Sequence, residues 1–238
     1  MSREQLFEYS KKLGLDFYID YEKFEDFKKI LLEWNQKLNL TGITDSDEID
    51  IKHFLDSLTL FKVLDSKGGF SMVDVGTGAG FPAIPVKIAN DNIEITCLEA
   101  LNKRLKFIDV AAEKLEFENL KTVHVRAEDA GKNKEFREKF DVATARAVAE
   151  LNVLAEYCLP LVKVGGIFIA MKGKDCDEEI DKSKNAIKIL GGEIQKILKF
   201  SLTSDGENER TLAVIKKVCP TPKKYPRGQG KPKKEPLI

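Results

Sequence analysis

A glycine-rich stretch, residues 71–85 with the sequence SMVDVGTGAGFPAIP, is the part of the chain best suited to binding a ligand. A short apolar run precedes Gly76, Gly78 and Gly80, and Pro82 falls in the first turn of an expected helix. Glycine permits backbone angles and a close approach that a Cβ atom would prevent. A ligand against this turn would face backbone N–H groups at the positive end of the helix.

The spacing of these glycines separates the turn from two other nucleotide-binding loops. The dinucleotide fingerprint GxGxxG needs its third glycine where Phe81 stands, and a Walker loop needs a Gly-Lys-Ser/Thr ending that this stretch lacks. The pattern is instead DxGxGxG, which resembles the first motif of methyltransferases that use S-adenosylmethionine (SAM). We therefore expect Asp74, Gly76, Gly78 and Gly80 to surround SAM, the alternative being a glycine-rich turn without a ligand.

Composition limits the class of protein. The chain has 238 residues, 42% of them hydrophobic, and 39 basic residues balance 39 acidic ones. This length predicts one large domain with at most a small addition. A neutral total still permits RNA binding, because charge can be segregated. The four cysteines form no CxxC pair and no signal-like or membrane-spanning apolar run stands out, so we expect a soluble, cytoplasmic, metal-free monomer.

Three regions follow one another along the chain. Residues 1–65 predict amphipathic helices that form a cap on the core, with an apolar aromatic stripe that includes Phe24 and Phe27. Residues 66–218 predict a SAM-binding domain, and residues 219–238 a basic tail rich in proline and lysine. Within the central region, apolar strands alternate with helices, which indicates a parallel sheet covered on both faces.

The predicted elements of the central region give a specific fold. We expect five parallel strands, then an antiparallel edge hairpin, in a seven-stranded Rossmann-like sheet of the SAM-dependent methyltransferase type. The predicted strands are Ser71–Val75, Ile93–Leu98, Leu120–Val125, Asp141–Ala145, Gly166–Met171, Glu193–Leu202 and Arg210–Val218. The predicted helices are Pro82–Ala89, Lys103–Glu116, Leu151–Val162 and Glu178–Leu190.

Acidic residues follow two of these strands. Glu99 ends the second strand, where a carboxylate can accept hydrogen bonds from ribose hydroxyls, although a surface glutamate would look the same. Ala127 and Glu128 follow the third strand, beside the expected adenine position, and Asp129 competes for the side-chain role. The alternative is an acidic pair favoured by a helix N-terminus.

The end of the fourth strand, DVATARAVAE, indicates which kind of atom could accept the methyl group. It lacks the Asn/Asp-Pro-Pro-aromatic motif of enzymes that methylate exocyclic amines, and no cysteine is placed to attack cytosine C5. A ring nitrogen with a free lone pair, such as guanine N7, needs neither. Arg146 is positioned to bind the acceptor base, a phosphate or the SAM carboxylate, unless it forms a surface ion pair. Lys172 is a weaker candidate for a phosphate contact.

Two further groups of side chains leave alternatives open. His53 and Asp56 either face the cofactor cleft or pack between helices, and no metal site is expected at His53 or His124. In the tail, basic residues surround Tyr225 and predict phosphate contacts, unless the tail is a solvated, disordered end. The predicted RNA-binding residues are Lys172, Lys223, Lys224, Arg227 and Lys231.

Several segments together resemble one family, RsmG, the bacterial 16S ribosomal RNA guanine-N7 methyltransferases, also called glucose-inhibited division protein B. They are LNLTGIT, KHFLDSL, DVGTGAGFPAIP, LEALNKRLKFI, RAED, ATARAV and KYPRGQGKPKKEPL, which span nearly the whole chain. The resemblance implies SAM as cofactor, a guanine of 16S rRNA or the 30S subunit or its precursor as acceptor, and no general base. It assigns the glycine-loop contacts to Gly76 and Phe81, the ribose position to Glu99, Ala100 and Leu101, the adenine position to Ala127 and Glu128, and the active-site cleft to Arg146.

Other functions share some of these features. A methyltransferase acting on a small molecule or a protein would need the same fold and cofactor but no basic tail. A SAM-binding regulatory module would bind without turnover. A nicotinamide dehydrogenase shares the general fold, but the failed GxGxxG spacing argues against it.

Overall fold

The computed structural model of the chain describes residues 3–15, 17, 19–228 and 230–238. Two helices open the described chain, α1 at Arg3–Lys12 and α2 at Tyr21–Leu38. Asp20 caps α2 by accepting a hydrogen bond from the Lys23 N–H, and Asn39 ends it in the left-handed conformation. A further helical segment is built from four short pieces: α3 (Ser46–Ile49), a π-helical turn (Asp50–Leu55), α4 (Asp56–Leu58) and a 3-10 turn (Thr59–Lys62).

The rest of the chain forms one seven-stranded sheet. Its strands are β1 Ser71–Val75, β2 Glu94–Glu99, β3 Leu120–His124, β4 Phe140–Arg146, β5 Val162–Lys172, β6 Gly192–Ser201 and β7 Glu209–Lys217. Their order across the sheet is β3-β2-β1-β4-β5-β7-β6. The first five strands pair in parallel, and β7 runs antiparallel between β5 and β6. The predicted fold, a mostly parallel sheet closed by an edge hairpin, is confirmed.

Helices cover both faces of this sheet. They are α5 Ala83–Ala89, α6 Asn102–Lys114, α7 Ala127–Ala130, α8 Leu151–Cys158, α9 Asp177–Ile189 and α10 Lys231–Lys234. The predicted helix Leu151–Val162 was too long: α8 ends at Cys158, a 3-10 turn follows, and Val162 already belongs to β5. Pro160 explains the early end, since it has no N–H to donate inside a helix.

One of the two hydrophobic cores joins the N-terminal helices to the sheet. Phe27 of α2 is fully buried, and its ring lies 5.6 Å from Phe54, 5.5 Å from Phe81 and 6.2 Å from Phe107. These rings come from α2, the π-helical turn, the glycine-rich loop and α6. The aromatic stripe is therefore core, as expected, and it brings the N-terminal helices against the loop after β1.

The second core lies on the opposite face and includes the tail. Tyr225 is buried in it, and the side chain of Arg137 holds the backbone on both sides of Tyr225's loop to the domain. Arg137 donates to the carbonyl oxygens of Tyr225 (2.8 Å), Thr221 (2.6 Å) and Gly131 (2.7 Å). A cation that satisfies three carbonyl groups fixes the tail to the domain, so the tail is not a solvated end.

Two expected absences concern membranes and metals. Of the helices in the described ranges, none combines the length and apolar character needed to cross a membrane. Within the same ranges, no group of three or more His, Cys, Asp or Glu side chains is arranged to hold a metal ion.

The division at residues 65 and 218 stays a prediction, and Phe27→Ala tests its first boundary. Removing a fully buried phenylalanine costs about 3–5 kcal/mol. Because Phe27 contacts rings from both regions, we expect one cooperative thermal transition, shifted to lower temperature and followed by circular dichroism and calorimetry. Glu33→Ala, at an exposed position of the same helix, is the control. Two separate transitions, with only one of them shifted, would contradict the shared core.

Candidate active site

The glycine-rich loop after β1 has a left-handed backbone at three places. Gly76, Gly78 and Gly80 have φ angles of 71°, 60° and 77°, which side chains other than glycine rarely adopt. The N–H groups of Gly76 and Thr77 donate to the Leu98 carbonyl at 2.8 and 3.2 Å, so the loop is fastened to the end of β2. Beside Gly78 the space is open: a Cβ atom there would meet nothing nearer than the Gly76 carbonyl oxygen at 3.9 Å.

Asp74 supports this loop from below. Its side chain is fully buried, and its Oδ2 accepts a 2.6 Å hydrogen bond from the Thr77 hydroxyl. Burial raises the pKa of Asp74 to about 6, against the opposing effect of the Thr77 hydrogen bond. Asp74 therefore shapes the loop from inside the protein.

A cavity of 530 Å³ lies outside the carboxyl ends of β1, β2 and β3. Its size falls within the range of small-molecule and cofactor sites. Five predicted cofactor residues line it: Gly76, Glu99, Ala100, Ala127 and Glu128. The remaining lining residues are Val75, Leu98, Arg104, Val125, Arg126, Ala147, Val148, Tyr157, Gly230, Lys233 and Lys234.

The other predicted cofactor residues lie elsewhere. Asp74, Gly78, Gly80, Phe81, Leu101 and Arg146 stand outside the lining of this cavity. Phe81 is buried with the aromatic rings of the first core. The sequence pattern predicts that this loop binds a ligand, and that stays a prediction; which loop positions face inward and which face outward follows from tertiary packing.

Glu99 is held in one orientation at the end of β2. Its carboxylate accepts hydrogen bonds from the Gly78 N–H (3.1 Å), the Leu101 N–H (3.0 Å) and the Arg104 guanidinium (3.3 Å). A carboxylate offers about four acceptor positions, so one remains for a ligand hydroxyl. The contact with Arg104 is the longest of the three and the only one made by a side chain, so it is the one that a second hydroxyl would replace.

A second cavity, of 390 Å³, meets the first at the end of β4. Ala147 belongs to the walls of both, and Arg146 belongs to the second. The second cavity is lined by Ile43, Lys52, His53, Asp56, Arg146, Ala147, Met171, Lys172, Gly173 and Arg210. A ligand in the first cavity can therefore have a reacting atom next to a molecule in the second.

Asp56 forms ion pairs with two arginines in this second cavity. Its Oδ2 lies 3.1 Å from Arg146 Nη1, and its Oδ1 lies 3.1 Å from Arg210 Nε. Arg146 Nη1 also donates to the Lys52 carbonyl at 3.1 Å. The guanidinium of Arg146 is thus fixed, with its carbon 5.1 Å from the centre of the Phe81 ring. Arg210 carried no signal in the sequence, because its partner is 154 residues away.

His53 stacks on Phe81 and faces the same arginine. The two ring centres are 4.4 Å apart, and His53 Nδ1 lies 3.3 Å from Arg146 Nη2. Its Nε2 lies 2.8 Å from the Thr41 hydroxyl. Burial, reinforced by Arg146 and Arg210, lowers the pKa of His53 to about 4. His53 is therefore neutral near pH 7, and it faces the cleft as well as packing between helices.

Two of the predicted RNA-binding residues already have partners within the protein. Lys172 Nζ donates to the Ala149 carbonyl at 2.8 Å and forms an ion pair with Glu179. Arg227 forms a two-pronged ion pair with the buried carboxylate of Glu156. Lys223, Lys224 and Lys231 have exposed side chains. Contact of any of these residues with RNA stays a prediction.

The lowered pKa of His53 predicts how stability depends on pH. The unfolded chain binds a proton near pH 6.5 and the folded protein only near pH 4, so acidification across this window favours unfolding. The shift corresponds to a loss of about 3 kcal/mol between pH 6.5 and pH 4. His53→Gln should remove this part of the loss, measured by urea denaturation at several pH values. Parallel wild-type and variant profiles across the window would contradict the assignment.

Comparison with known proteins agrees with this geometry. A family model described as GidB, rRNA small subunit methyltransferase G, matches residues 20–210. A protein of Acetivibrio thermocellus named ribosomal RNA small subunit methyltransferase G is 51% identical over 216 residues, which cover 91% of this chain and 88% of the relative. The protein of the same name from Clostridium perfringens (strain 13) is 45% identical over 238 residues, covering 98% and 99% of the two chains.

Solved structures share the fold at low sequence identity. TYW2 of P. horikoshii, solved in complex with MeSAdo, superimposes with a TM-score of 0.54 at 14% identity, covering 69% of this chain and 63% of that one. The YcgJ protein of Bacillus subtilis gives a TM-score of 0.52 at 12% identity, covering 70% of this chain and 100% of that one. At such identities the likeness shows the methyltransferase fold alone. The match of the family model, together with relatives about half identical over nearly the whole chain, shows that this chain belongs to the rRNA small subunit methyltransferase G (GidB) family.

Proposed function

We propose that this protein transfers a methyl group from SAM to N7 of a guanine in the 16S ribosomal RNA of the small subunit. The observation that carries the proposal is the junction of two cavities at Ala147, one lined by the glycine loop and Glu99, the other by Arg146. Membership of the rRNA small subunit methyltransferase G family supports the same acceptor class.

The first cavity fits SAM on two grounds. The left-handed loop brings backbone to the cavity wall at Gly76, where a Cβ atom would lie 2.8 Å from Val148 Cγ2, and Glu99 presents a fixed carboxylate for ribose hydroxyls. Gly76, Ala100, Ala127 and Glu128 form the wall around the nucleoside, and the Leu101 N–H orients Glu99. When bound, SAM supplies an electrophilic methyl group on a sulfonium sulfur.

The second cavity suits an acceptor that needs no deprotonation. Guanine N7 has a free lone pair, so the N–C bond forms as the S–C bond breaks and no proton leaves the base. Asp56, the one carboxylate in the lining, is engaged by two arginines. What remains for the protein is to hold the base in line with the methyl group. We assign that positioning to Arg146, whose fork can bond the guanine O6 or a phosphate.

The charge of the second cavity favours a polyanionic substrate. Lys52, Arg146, Lys172 and Arg210 line it against the single carboxylate of Asp56. Enzymes that modify RNA bases act on exposed loop bases, because the deep major groove of an RNA helix hides N7. Lys172 and the exposed tail lysines Lys223, Lys224 and Lys231 are proposed phosphate contacts, with Arg227 supporting the tail. We further propose that the protein acts as a cytoplasmic monomer.

Mapping the modified nucleotide tests the proposal. The protein is incubated with labelled SAM and either free 16S rRNA or assembled 30S particles, and the product is digested to nucleosides for mass spectrometry. We expect 7-methylguanosine at one position. Label on an adenine, on an exocyclic amine or on a protein would refute the assignment of the acceptor, and a folded protein that binds SAM without turnover on any of these substrates would favour a regulatory module.

Gly78→Val tests the cofactor position. Valine would fill the open space beside the loop and would be strained at a φ of 60°. We expect affinity for SAM to fall roughly tenfold or more in isothermal titration calorimetry. Gly42→Val is the matched control, because Gly42 is exposed and a Cβ there meets nothing within 4 Å. Unchanged affinity in a folded Gly78→Val protein would contradict the assignment of the glycine loop to SAM binding.

Arg146→Ala tests the acceptor position. Turnover with saturating SAM should fall about 100-fold, in line with the loss of a positioned donor at a reaction centre. Stability should fall by about 1–3 kcal/mol only, since Asp56 keeps Arg210 as a partner. Arg146→Lys retains the charge but loses the bidentate hydrogen bonding of the guanidinium, so intermediate turnover is expected. Wild-type kinetics for the alanine variant would remove Arg146 from the site.

A further inference from the structure

The tail returns to the cofactor cavity after leaving the sheet. Gly230, Lys233 and Lys234 belong to the lining of the 530 Å³ cavity, although they lie more than 70 residues after the last lining residue of the central region, Tyr157. Lys233 and Lys234 are exposed on their outer side, and neither ammonium forms an ion pair with any residue in the described ranges. No ion pair within the described ranges therefore holds Lys233 or Lys234 in the cavity wall.

The segment is held instead by anchors on both sides. Before it, Arg227 donates to Glu156 of α8 at 2.6 and 2.9 Å, and the Glu156 side chain is only 1% exposed. After it, the Leu237 carbonyl accepts a 3.0 Å hydrogen bond from Asn152, at the start of the same helix. Pro232 between the anchors is buried. The chain therefore passes along α8 as a strap, which we define as residues 230–234.

The position of the strap identifies the part of the ligand that it covers. It lies against α8, whose Tyr157 lines the cavity together with Ala127 and Glu128. Ala127 and Glu128 follow β3, which lies three places from β4 in the sheet, and the two cavities share Ala147 just after β4; no residue of the strap lines the second cavity. A methyl group must be transferred at the β4 end. The strap therefore covers the nucleoside side of the ligand and leaves the acceptor side open.

We propose that the strap is the outer wall of the cofactor site and retains bound SAM by covering its nucleoside. The proposal rests on the proposed function in that SAM is the ligand. Gly230 lets the chain turn in the left-handed conformation, with a φ of 71°, and the methylene stems of Lys233 and Lys234 cover apolar surface while their ammonium groups stay in water. The strap thus belongs to cofactor binding, and the exposed Lys223, Lys224 and Lys231, none of which lines the cavity, remain available to phosphate.

Deletion of residues 230–238 separates these two roles. It removes the strap and keeps the Arg227–Glu156 ion pair, so no buried carboxylate is left unpaired. We expect the dissociation constant for SAM to rise about tenfold, mostly through faster release, measured by calorimetry and stopped-flow fluorescence without any RNA. The matched control is the double variant Lys223→Ala with Lys224→Ala, which changes exposed lysines outside the cavity wall and should keep wild-type affinity for SAM.

Two further measurements keep the proposal testable if the deletion impairs folding. The double variant Lys233→Ala with Lys234→Ala changes only exposed side chains and should release SAM about threefold faster. In the full chain, S-adenosylhomocysteine should slow tryptic cleavage after Lys233 and Lys234.

Wild-type SAM release in this double variant, with cleavage unaffected by the ligand, would overturn the proposal. So would a folded deletion protein that binds SAM normally and shows only a raised KM for RNA, because the tail would then be an RNA arm. Failure of the wild-type protein to bind SAM would count against the proposed function itself.

Discussion

The left-handed backbone of the loop after β1 is the constraint on which the site depends. Three glycines with positive φ turn the chain away from the strand, and hydrogen bonds from the loop to Leu98 and from Thr77 to Asp74 hold that turn in place. Its position follows from the strand order, since β1 lies where the sheet changes direction, between β2 and β4. Crevices at such points, outside the carboxyl ends of strands, are where open α/β sheets bind ligands.

The N-terminal helices extend this site as well as covering the core. Phe81, one residue after the last glycine of the loop, packs on Phe27 and Phe54 and stacks against His53. The same helical segment supplies Asp56, which joins Arg146 of β4 to Arg210 of β7. The second cavity therefore exists only where three distant parts of the chain meet, and the glycine-rich loop, which borders the first cavity, also supports the second through Phe81.

Local sequence patterns predicted the strands and the residues that follow them. Strand bounds agree to within about two residues where apolar runs are short. Glu99, Ala127 and Glu128 line one cavity, as residues that follow parallel strands converge at one edge of a sheet, and their contact with SAM stays a prediction. The contacts of Arg210 and of the tail could not be predicted, because their partners are distant in sequence. Composition predicted a tail that contacts phosphate, with a solvated end as the alternative, and did not predict that Arg137 and Glu156, 71 or more residues away, fix the tail to the domain.

The central claim is that the glycine loop and Glu99 form a cofactor-binding site next to Arg146. A crystal structure of the protein with S-adenosylhomocysteine tests this claim most directly. The account predicts the ligand in the cavity at the ends of β1, β2 and β3, its ribose hydroxyls on the Glu99 carboxylate and its sulfur at the end next to Ala147. A ligand bound elsewhere, or a loop closed over by its own side chains with the ligand absent at saturating concentration, would contradict it.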